Sequence, residues 1–150
     1  MTRTAAREIA VQLAYELGYS DCSVEEFLEK KLNRDYFAVM AEENALYGEY
    51  PDEDQLAYIR TVIEGVGRHG YELDRDIERY AVGWKFGRIP RVATAIMRVA
   101  MFEILYLPEV PNGAAINEAV EIAKKYETPE TVKFINGILG SFVRGEISAE

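Results

Sequence analysis

The sequence predicts an all-α protein, and three observations support that class. Apolar residues recur at intervals of three and four along most of the 150-residue chain, which is the spacing of one buried helix face. No segment alternates apolar and polar residues as a half-buried strand does, and no hairpin turn signal is present. Prolines and glycines divide the periodic pattern into five to seven helices. We therefore expect two packed helical subdomains that share one core, roughly residues 1–80 and 81–150.

The first predicted helix runs from about Thr4 to Leu17, and Gly18 ends it. Ser23 has the side chain of an N-cap and begins a second helix. Residues 33–55 are less regular and hold either a bend or a separate short helix. The residues expected on the buried face of the first helix are Ala6, Ile9, Ala10, Leu13 and Leu17.

A further helix is predicted after Pro51, with acidic residues in its first turn, where they favour the helix dipole. Glycines at positions 65, 67 and 70 interrupt its pattern, and they either bend the helix or allow a close helix contact. Pro90 opens a strongly apolar helix that Pro108 and Pro111 close.

The last two predicted helices cover 116–126 and the residues after Thr128, a cap that is followed by Pro129 in the first turn. Asn136-Gly137 is unusual within the second of them, because a mid-helix glycine costs about 1 kcal/mol relative to alanine. We interpret the pair as a place where the last helix approaches a neighbour closely, with Asn136 hydrogen-bonding locally.

The charge of the chain is unevenly distributed. The formal net charge is -9, and residues 21–55 alone hold eleven acidic against three basic side chains. An acidic protein is repelled by nucleic acid on approach. Residues 84–106, in contrast, hold four basic side chains and one acidic one. Because salt screens exposed charges over about 8 Å, the acidic block need not silence a basic patch on another face.

Several classes of protein are disfavoured by what the chain lacks. Its single cysteine, Cys22, cannot pair within the chain, and its single histidine, His69, leaves no Cys/His cluster for zinc. No phosphate loop, nucleophile elbow or metalloprotease motif is present. No apolar run has the length of a transmembrane helix, and the N-terminus lacks the apolar core of a secretion signal. We expect a cytoplasmic protein that is not an enzyme and uses no cofactor or metal.

One stripe on the first helix is a candidate for binding single-stranded RNA. Arg3, Arg7, Val11 and Tyr15 follow one another at four-residue steps, beside the buried face of the helix. Arginines grip phosphates, and an aromatic ring can stack on an unpaired base. The alternative is an ordinary solvated face with a half-buried tyrosine.

A second basic group lies in residues 84–106 and could extend that patch. Arg98 shares one side of its helix with Arg91, and Lys85 and Arg88 precede them. The alternative is that these charges serve helix solubility, with Arg98 paired to Glu103 or another carboxylate.

Three residues around the last helix break are candidates for binding a protein partner. Tyr126 and Phe134 flank the break, and Glu130 lies between them in the first turn of the last helix. An exposed aromatic pair around a carboxylate suits a partner helix that carries arginine or lysine. The alternatives are two core aromatics and a glutamate that only favours the helix dipole.

Several motifs together resemble one known family. "INEAVEIAKKY" at 116–126, followed by a short break and "VKFINGIL" at 132–139, resembles the C-terminal signature of the NusB transcription antitermination family. "REIAVQLAYEL" at 7–17 is similar to the family's N-terminal helix, while Trp84 and "AIMRVAMFEIL" at 95–105 resemble the helix before the signature. These pieces occur in the family's order and span nearly the whole chain.

The resemblance implies an all-α fold of about seven helices in two subdomains, without catalysis. It implies binding of boxA-type single-stranded RNA together with a small-subunit ribosomal protein that doubles as an antitermination factor, in the transcription elongation complex and in support of ribosomal RNA transcription. Matched residue by residue, the family's RNA side corresponds to Arg3, Arg7, Tyr15 and Arg98, and its partner side to Tyr126, Glu130 and Phe134.

Two other interpretations stay open. A helical protein–protein interaction module with no RNA binding of its own would explain the acidity of the chain. The other is an interaction module related by descent to the NusB-like N-terminal domain of RNA cytosine methyltransferases. The enzyme itself would need a cofactor-binding domain, and none is present in this sequence. Homodimerisation is possible in each case, since helical proteins with exposed apolar strips often pair.

Overall fold

The structure is a computed structural model, and it describes residues 1–147. Seven α-helices form most of this part of the chain. Those residues contain no strand, so the predicted all-α class and helix number are confirmed. None of their helices is both long enough and apolar enough to cross a bilayer. In chain order the helices are α1 (Arg3–Leu17), α2 (Val24–Lys31), α3 (Arg34–Ala41), α4 (Glu53–Tyr80), α5 (Arg91–Tyr106), α6 (Asn112–Tyr126) and α7 (Pro129–Phe142).

Side-chain caps fix where several helices begin. The Ser23 hydroxyl accepts a hydrogen bond from the backbone N–H three residues later at 3.2 Å. Thr128 does the same for α7 at 3.2 Å, and Thr2 does so for α1 at 3.0 Å. Each bond satisfies one of the N–H groups that a helix start leaves without a partner, and such a cap typically contributes about 1 kcal/mol. The caps predicted at Ser23 and Thr128 are confirmed.

The glycines within α4 do not break it, since α4 is one helix of 28 residues. A Cβ added at Gly67 would lie 2.7 Å from Cγ2 of Val24 in α2, so this glycine makes room for a neighbouring helix. A Cβ added at Gly70 would meet nothing within 4 Å. Of the two possibilities left open by the sequence, close contact applies at Gly67.

The chain divides into two compact units, and the boundary falls inside α4. The first unit is Met1–Arg68, and the second begins at His69. The sequence placed a boundary near residue 80, at the end of this helix. The units divide earlier because the first half of α4, with buried Ile59 and Ile63, makes its contacts within the first unit.

The first unit has the buried face of α1 in its core. Ala6, Ile9, Ala10 and Leu13 are fully buried as predicted, while Leu17 is partly exposed. The irregular residues 33–55 form α3 and a 3-10 turn, Ala45–Tyr47. Aromatic rings hold this segment together: Phe37 lies edge-on to Tyr47 with centroids 4.8 Å apart, and edge-on to Tyr50 at 5.1 Å.

The second unit is built on α5, which packs against both α6 and α7. Eleven of the 16 residues of α5 are buried, which explains its strongly apolar sequence. A π-helical turn, Val143–Ile147, follows α7. There the Glu146 carboxylate accepts hydrogen bonds from Arg79 Nη1 at 2.7 Å and from Tyr80 Oη at 2.9 Å. These bonds tie the turn to the end of α4.

Candidate nucleic-acid and partner surfaces

Two arginines of α1 share one aromatic ring in the first unit. The guanidinium carbon of Arg3 lies 4.4 Å from the centroid of the Tyr58 ring, and that of Arg7 lies 5.6 Å from it. Both distances are within the range of a cation–π attraction, which contributes about 0.5 to 1 kcal/mol at exposed sites and more where the charge is desolvated. The ring therefore holds the two positive charges close to each other.

The two arginines differ in exposure, and this corrects one prediction. Arg3 is exposed, whereas Arg7 is only 5% exposed and Val11 only 3%. The stripe was expected to lie beside the buried face of α1, but its middle belongs to the core. Every residue of α1 from Ala6 to Val11 is buried, so neighbouring chain covers more than one face of the helix. Of the two guanidinium groups, that of Arg3 is accessible to a phosphate.

Tyr15 is half-buried near the end of α1 and packs against a second tyrosine. Its ring lies edge-on to that of Tyr19, with centroids 5.3 Å apart and planes at 60°. Tyr19 is 56% exposed. The sequence analysis did not consider Tyr19, which lies in the turn that follows α1.

Arg98 is engaged in an ion pair within the second unit. Its Nε donates to Oδ1 of Asp74 at 2.6 Å, and its Nη2 donates to Oδ2 at 2.7 Å. The arginine side chain is 22% exposed. A carboxylate partner for Arg98 was the alternative interpretation of the sequence, which named Glu103 first. The side-on geometry uses Nε and Nη2, so Nη1 points away from Asp74.

The other basic residues of this segment lie mostly in the loop between α4 and α5. Lys85 and Arg88 are exposed there, as is Arg91 in the first turn of α5. Gly83 has a φ of 85°, a left-handed conformation that glycine adopts without strain. The loop also carries Trp84, which is 36% exposed.

Tyr126, Glu130 and Phe134 lie at the surface of the second unit, around the junction of α6 and α7. Tyr126 is 40% exposed, Glu130 is exposed, and Phe134 is half-buried. The ring of Phe134 packs on that of Trp84, with centroids 4.2 Å apart. Trp84 was matched by the sequence resemblance but not assigned to the site. We call Tyr126, Glu130, Phe134 and Trp84 the aromatic surface.

Two glutamates at the α6–α7 junction, beside the aromatic surface, lie in different electrostatic surroundings. Glu130 occupies the first turn of α7, where the helix dipole stabilises a carboxylate. Burial raises the pKa of the neighbouring Glu127 carboxyl. Glu127 therefore takes up a proton at a higher pH than an exposed glutamate does. No group of three His, Cys, Asp or Glu side chains within residues 1–147 is arranged to hold a metal ion.

A groove of about 420 Å³ lies between α6 and α7. Its aliphatic lining residues are partly buried, and we call them the floor; its other lining residues are exposed, and we call them the rim. None of the residues that line it is acidic. The residues that line the α6–α7 groove are Gly113, Ile116, Asn117 and Val120 from α6 and Val132, Lys133 and Asn136 from α7.

The explanation predicted for Asn136-Gly137 is wrong. A Cβ added at Gly137 would meet nothing within 4 Å, so no neighbouring helix needs the space. Asn136 is exposed at the α6–α7 groove, and its amide makes no hydrogen bond to another residue of the described chain. Both residues lie on the outer side of α7, and packing within the described chain does not account for them.

The comparison with known families identifies one match over most of the chain. The sequence profile described as the NusB family matches residues 4–144. Among individual relatives, a transcription antitermination protein NusB of Thermoanaerobacter sp. (strain X514) is 38% identical over 146 residues, which cover 97% of this chain and 93% of the relative.

Solved structures share the fold. A structure named "T. maritima NusB, P3121, Form 2" superimposes with a TM-score of 0.78 at 27% identity, covering 97% of this chain and 92% of the other. A structure named "Crystal Structure of a Plectonemic RNA Supercoil" superimposes with a TM-score of 0.77 at 24% identity, covering 99% of this chain and 98% of the other. The arrangement of helices is thus that of these proteins.

Proposed function

The chain belongs to the NusB family, and from this premise we propose that it is a transcription antitermination factor that acts as a non-enzymatic adaptor. In this role it binds boxA-type single-stranded RNA together with a small-subunit ribosomal protein, within the cytoplasmic transcription elongation complex. In this way it supports continued transcription of ribosomal RNA operons.

The extent of the family match carries the proposal. It spans residues 4–144, so it includes α1, the basic residues within 84–106 and the α6–α7 junction rather than a single motif. The relative that covers 97% of this chain is named a transcription antitermination protein. A fold alone can serve many functions, so similarity of fold would not be enough. Here the sequence match also covers the candidate binding regions, which supports a shared role.

On the RNA side we assign direct contacts to Arg3 and Tyr15. Arg3 is exposed and can donate to a phosphate, and Tyr15 offers part of a ring for stacking on an unpaired base. Arg98 contributes through Nη1, the part of its guanidinium that points away from Asp74. Arg7 contributes indirectly, because it is buried: it contacts the same Tyr58 ring as Arg3 and adds positive charge next to it.

On the protein side we assign Tyr126, Glu130 and Phe134 to the ribosomal partner. Aromatic side chains contribute much of the binding energy of protein interfaces because they bury a large apolar area. The exposed ring of Tyr126 and the half-buried ring of Phe134 offer such an area. Ribosomal proteins are basic in order to bind rRNA, so the Glu130 carboxylate is complementary to such a partner and speeds the encounter.

Charge reversal at each side tests the two assignments separately. Glu130→Lys is expected to weaken partner binding at least about tenfold by calorimetry, because it places a cation opposite a basic protein. Arg3→Glu is expected to weaken RNA binding by the protein pair in a filter assay, without affecting pairing. Glu53→Lys is the control for the first change, since Glu53 is also an exposed first-turn glutamate, in α4. Arg60→Glu, at an exposed arginine of α4, is the control for the second. If each variant bound as tightly as its control, the site assignment would be wrong.

A second function is favoured by the acidic block. Residues 21–55 hold eleven acidic and three basic side chains, which suits a helical module that binds only proteins. Purification of the tagged chain from its own cells, with and without nuclease, separates the two functions. The adaptor is expected to bring down RNA and a small basic protein, with the RNA lost after nuclease treatment. Recovery of protein partners without any RNA would support the module instead. The mass of the purified chain in solution shows whether it is a homodimer.

A further inference from the structure

We infer that the α6–α7 groove is a binding site for one unpaired nucleotide of single-stranded RNA. This inference rests on the proposed function and adds a pocket to it. None of the RNA-side residues assigned above lines the groove, which belongs entirely to the second unit.

The rim of the groove carries the groups that recognise a base edge. Asn117 on α6 and Asn136 on α7 are both exposed and both line it. A carboxamide has two N–H donors and an acceptor oxygen, so it can pair with the donor and acceptor groups of a base. Single-stranded RNA is usually read in this way, by hydrogen bonds to the edges of bases that are not stacked in a helix. Two amides on opposite helices can hold a base from two sides.

The charge of the lining suits a nucleotide rather than an acidic ligand. Lys133 is exposed at the groove and supplies a cation for a phosphate, while no carboxylate lines the groove. Ile116, Val120 and Val132 line the same groove and form its partly buried apolar floor. Such a floor can contact the face of a base, which is apolar, while the phosphate stays at the rim.

The dimensions of the groove disfavour a partner helix. Its volume of about 420 Å³ lies in the range of pockets that hold single small ligands. On α6 the apolar floor extends only from Ile116 to Val120, which is about 6 Å of helix at 1.5 Å per residue. An amphipathic helix in a groove uses anchors from i to i+7, which are about 10 Å apart. The apolar floor is therefore too short for it.

The rim residues are also not required by the fold. A Cβ added at Gly113 would meet nothing within 4 Å, so this glycine serves no contact within the described chain. The Asn136 amide likewise makes no hydrogen bond there. Asparagine is a weaker helix former than alanine or leucine, so its presence in the middle of α7 costs a few tenths of a kcal/mol. Packing within the described chain therefore explains neither residue.

Three variants of the full chain test the site, with a boxA-type single-stranded RNA oligonucleotide as the probe. Asn117→Ala and Asn136→Ala are each expected to weaken RNA binding by the protein pair about 5-fold to 100-fold, as the loss of a good base contact does. Lys133→Gln is expected to lower the slope of log affinity against log salt by about 0.7, the effect of one lost phosphate contact on a single strand. The alanine variants should leave that slope unchanged. Lys30→Gln, at an exposed lysine of α2, is the matched control and should change neither quantity.

The outcomes separate this inference from the proposed function. If the wild-type pair binds no RNA, the proposed function itself fails, and the site fails with it. If the wild type binds RNA and all three groove variants bind equally well, the site is refuted while the proposed function stands. If the variants lose the protein partner and keep RNA, the groove holds a protein segment and the inference is overturned. Unfolding curves exclude misfolding, since both alanine substitutions are expected to leave the fold intact or slightly more stable.

Discussion

The arginine end of α1 and the α6–α7 junction carry the two sets of candidate residues, and the fold uses them very differently. In α1, Arg7 is 5% exposed and Arg3 lies over the ring of Tyr58, so both arginines also serve the first unit. At the junction, Tyr126 is 40% exposed. Further along α7, Gly137 has nothing within 4 Å of its Cβ position, so packing within the described chain does not explain this glycine.

This difference shows how far a residue type can indicate a role. Arginine suits a phosphate wherever it lies, but a buried arginine cannot reach one without unfolding its surroundings. A residue that the fold does not use is a stronger sign of binding, because its cost to the helix is not offset by packing. By this criterion the outer side of α7, where Asn136 and Gly137 are exposed, is the better supported binding surface, and α1 combines binding with structure.

The largest expected effect comes from reversing the buried charge of α1. Arg7→Glu is expected to lower the free energy of unfolding by about 3 to 5 kcal/mol, because it buries a carboxylate in surroundings built for a guanidinium. Chemical denaturation measures the loss. Arg3→Glu, one turn earlier and exposed, should cost less than about 1 kcal/mol. Equal losses for the two variants would contradict the difference in burial.

An intermediate effect is expected in the second unit, where the candidate residue Arg98 forms an ion pair with Asp74. Asp74→Ala removes both hydrogen bonds from the partly buried guanidinium of Arg98 and should cost about 1.5 to 3 kcal/mol. The control is Glu121→Ala, which breaks an exposed pair with Lys124 at 2.6 Å and should cost less than about 0.5 kcal/mol. Thermal unfolding of the two variants distinguishes them. A loss no larger for Asp74 than for Glu121 would mean that Arg98 is available to RNA without restraint.

The smallest effects on the free energy of unfolding are expected at two helical glycines, and the two effects should have opposite signs. Gly137→Ala should raise the free energy of unfolding by up to about 1 kcal/mol, because nothing obstructs the new methyl group. Gly67→Ala should lower it, since the methyl group would meet Val24 at 2.7 Å. Denaturation curves of the two variants at the same pH give the comparison. A destabilised Gly137→Ala variant would show that this glycine does have a structural role.

Local signals in the sequence were reliable where the physical cause is local. A cap depends on a side chain and a backbone N–H three residues later, so Ser23 and Thr128 could be identified from the sequence alone. Proline at the start of α7 was predictable for the same reason, because its fixed φ and missing N–H suit the first turn of a helix. The buried face of α1 was largely correct as well, because helical periodicity reports which side is apolar.

Contacts between distant residues could not be predicted in this way. The carboxylate that holds Arg98 lies 24 positions away, in α4, and the sequence analysis named a nearer glutamate first. The ring that receives Arg3 belongs to Tyr58, and the α6–α7 groove joins residues from two helices. Periodicity shows one buried face, but it does not show whether a second face is covered.

The sequence by itself determined the all-α class, the positions of the main helices, the uneven charge and the resemblance to one family, because these follow from residue spacing and motif order. Only the tertiary structure decided that Arg7 is buried, that Arg98 is paired and that Asn136 and Gly137 lie open beside a groove. The physical reason is that accessibility depends on which distant segments pack against a residue, and that packing is a property of the folded chain.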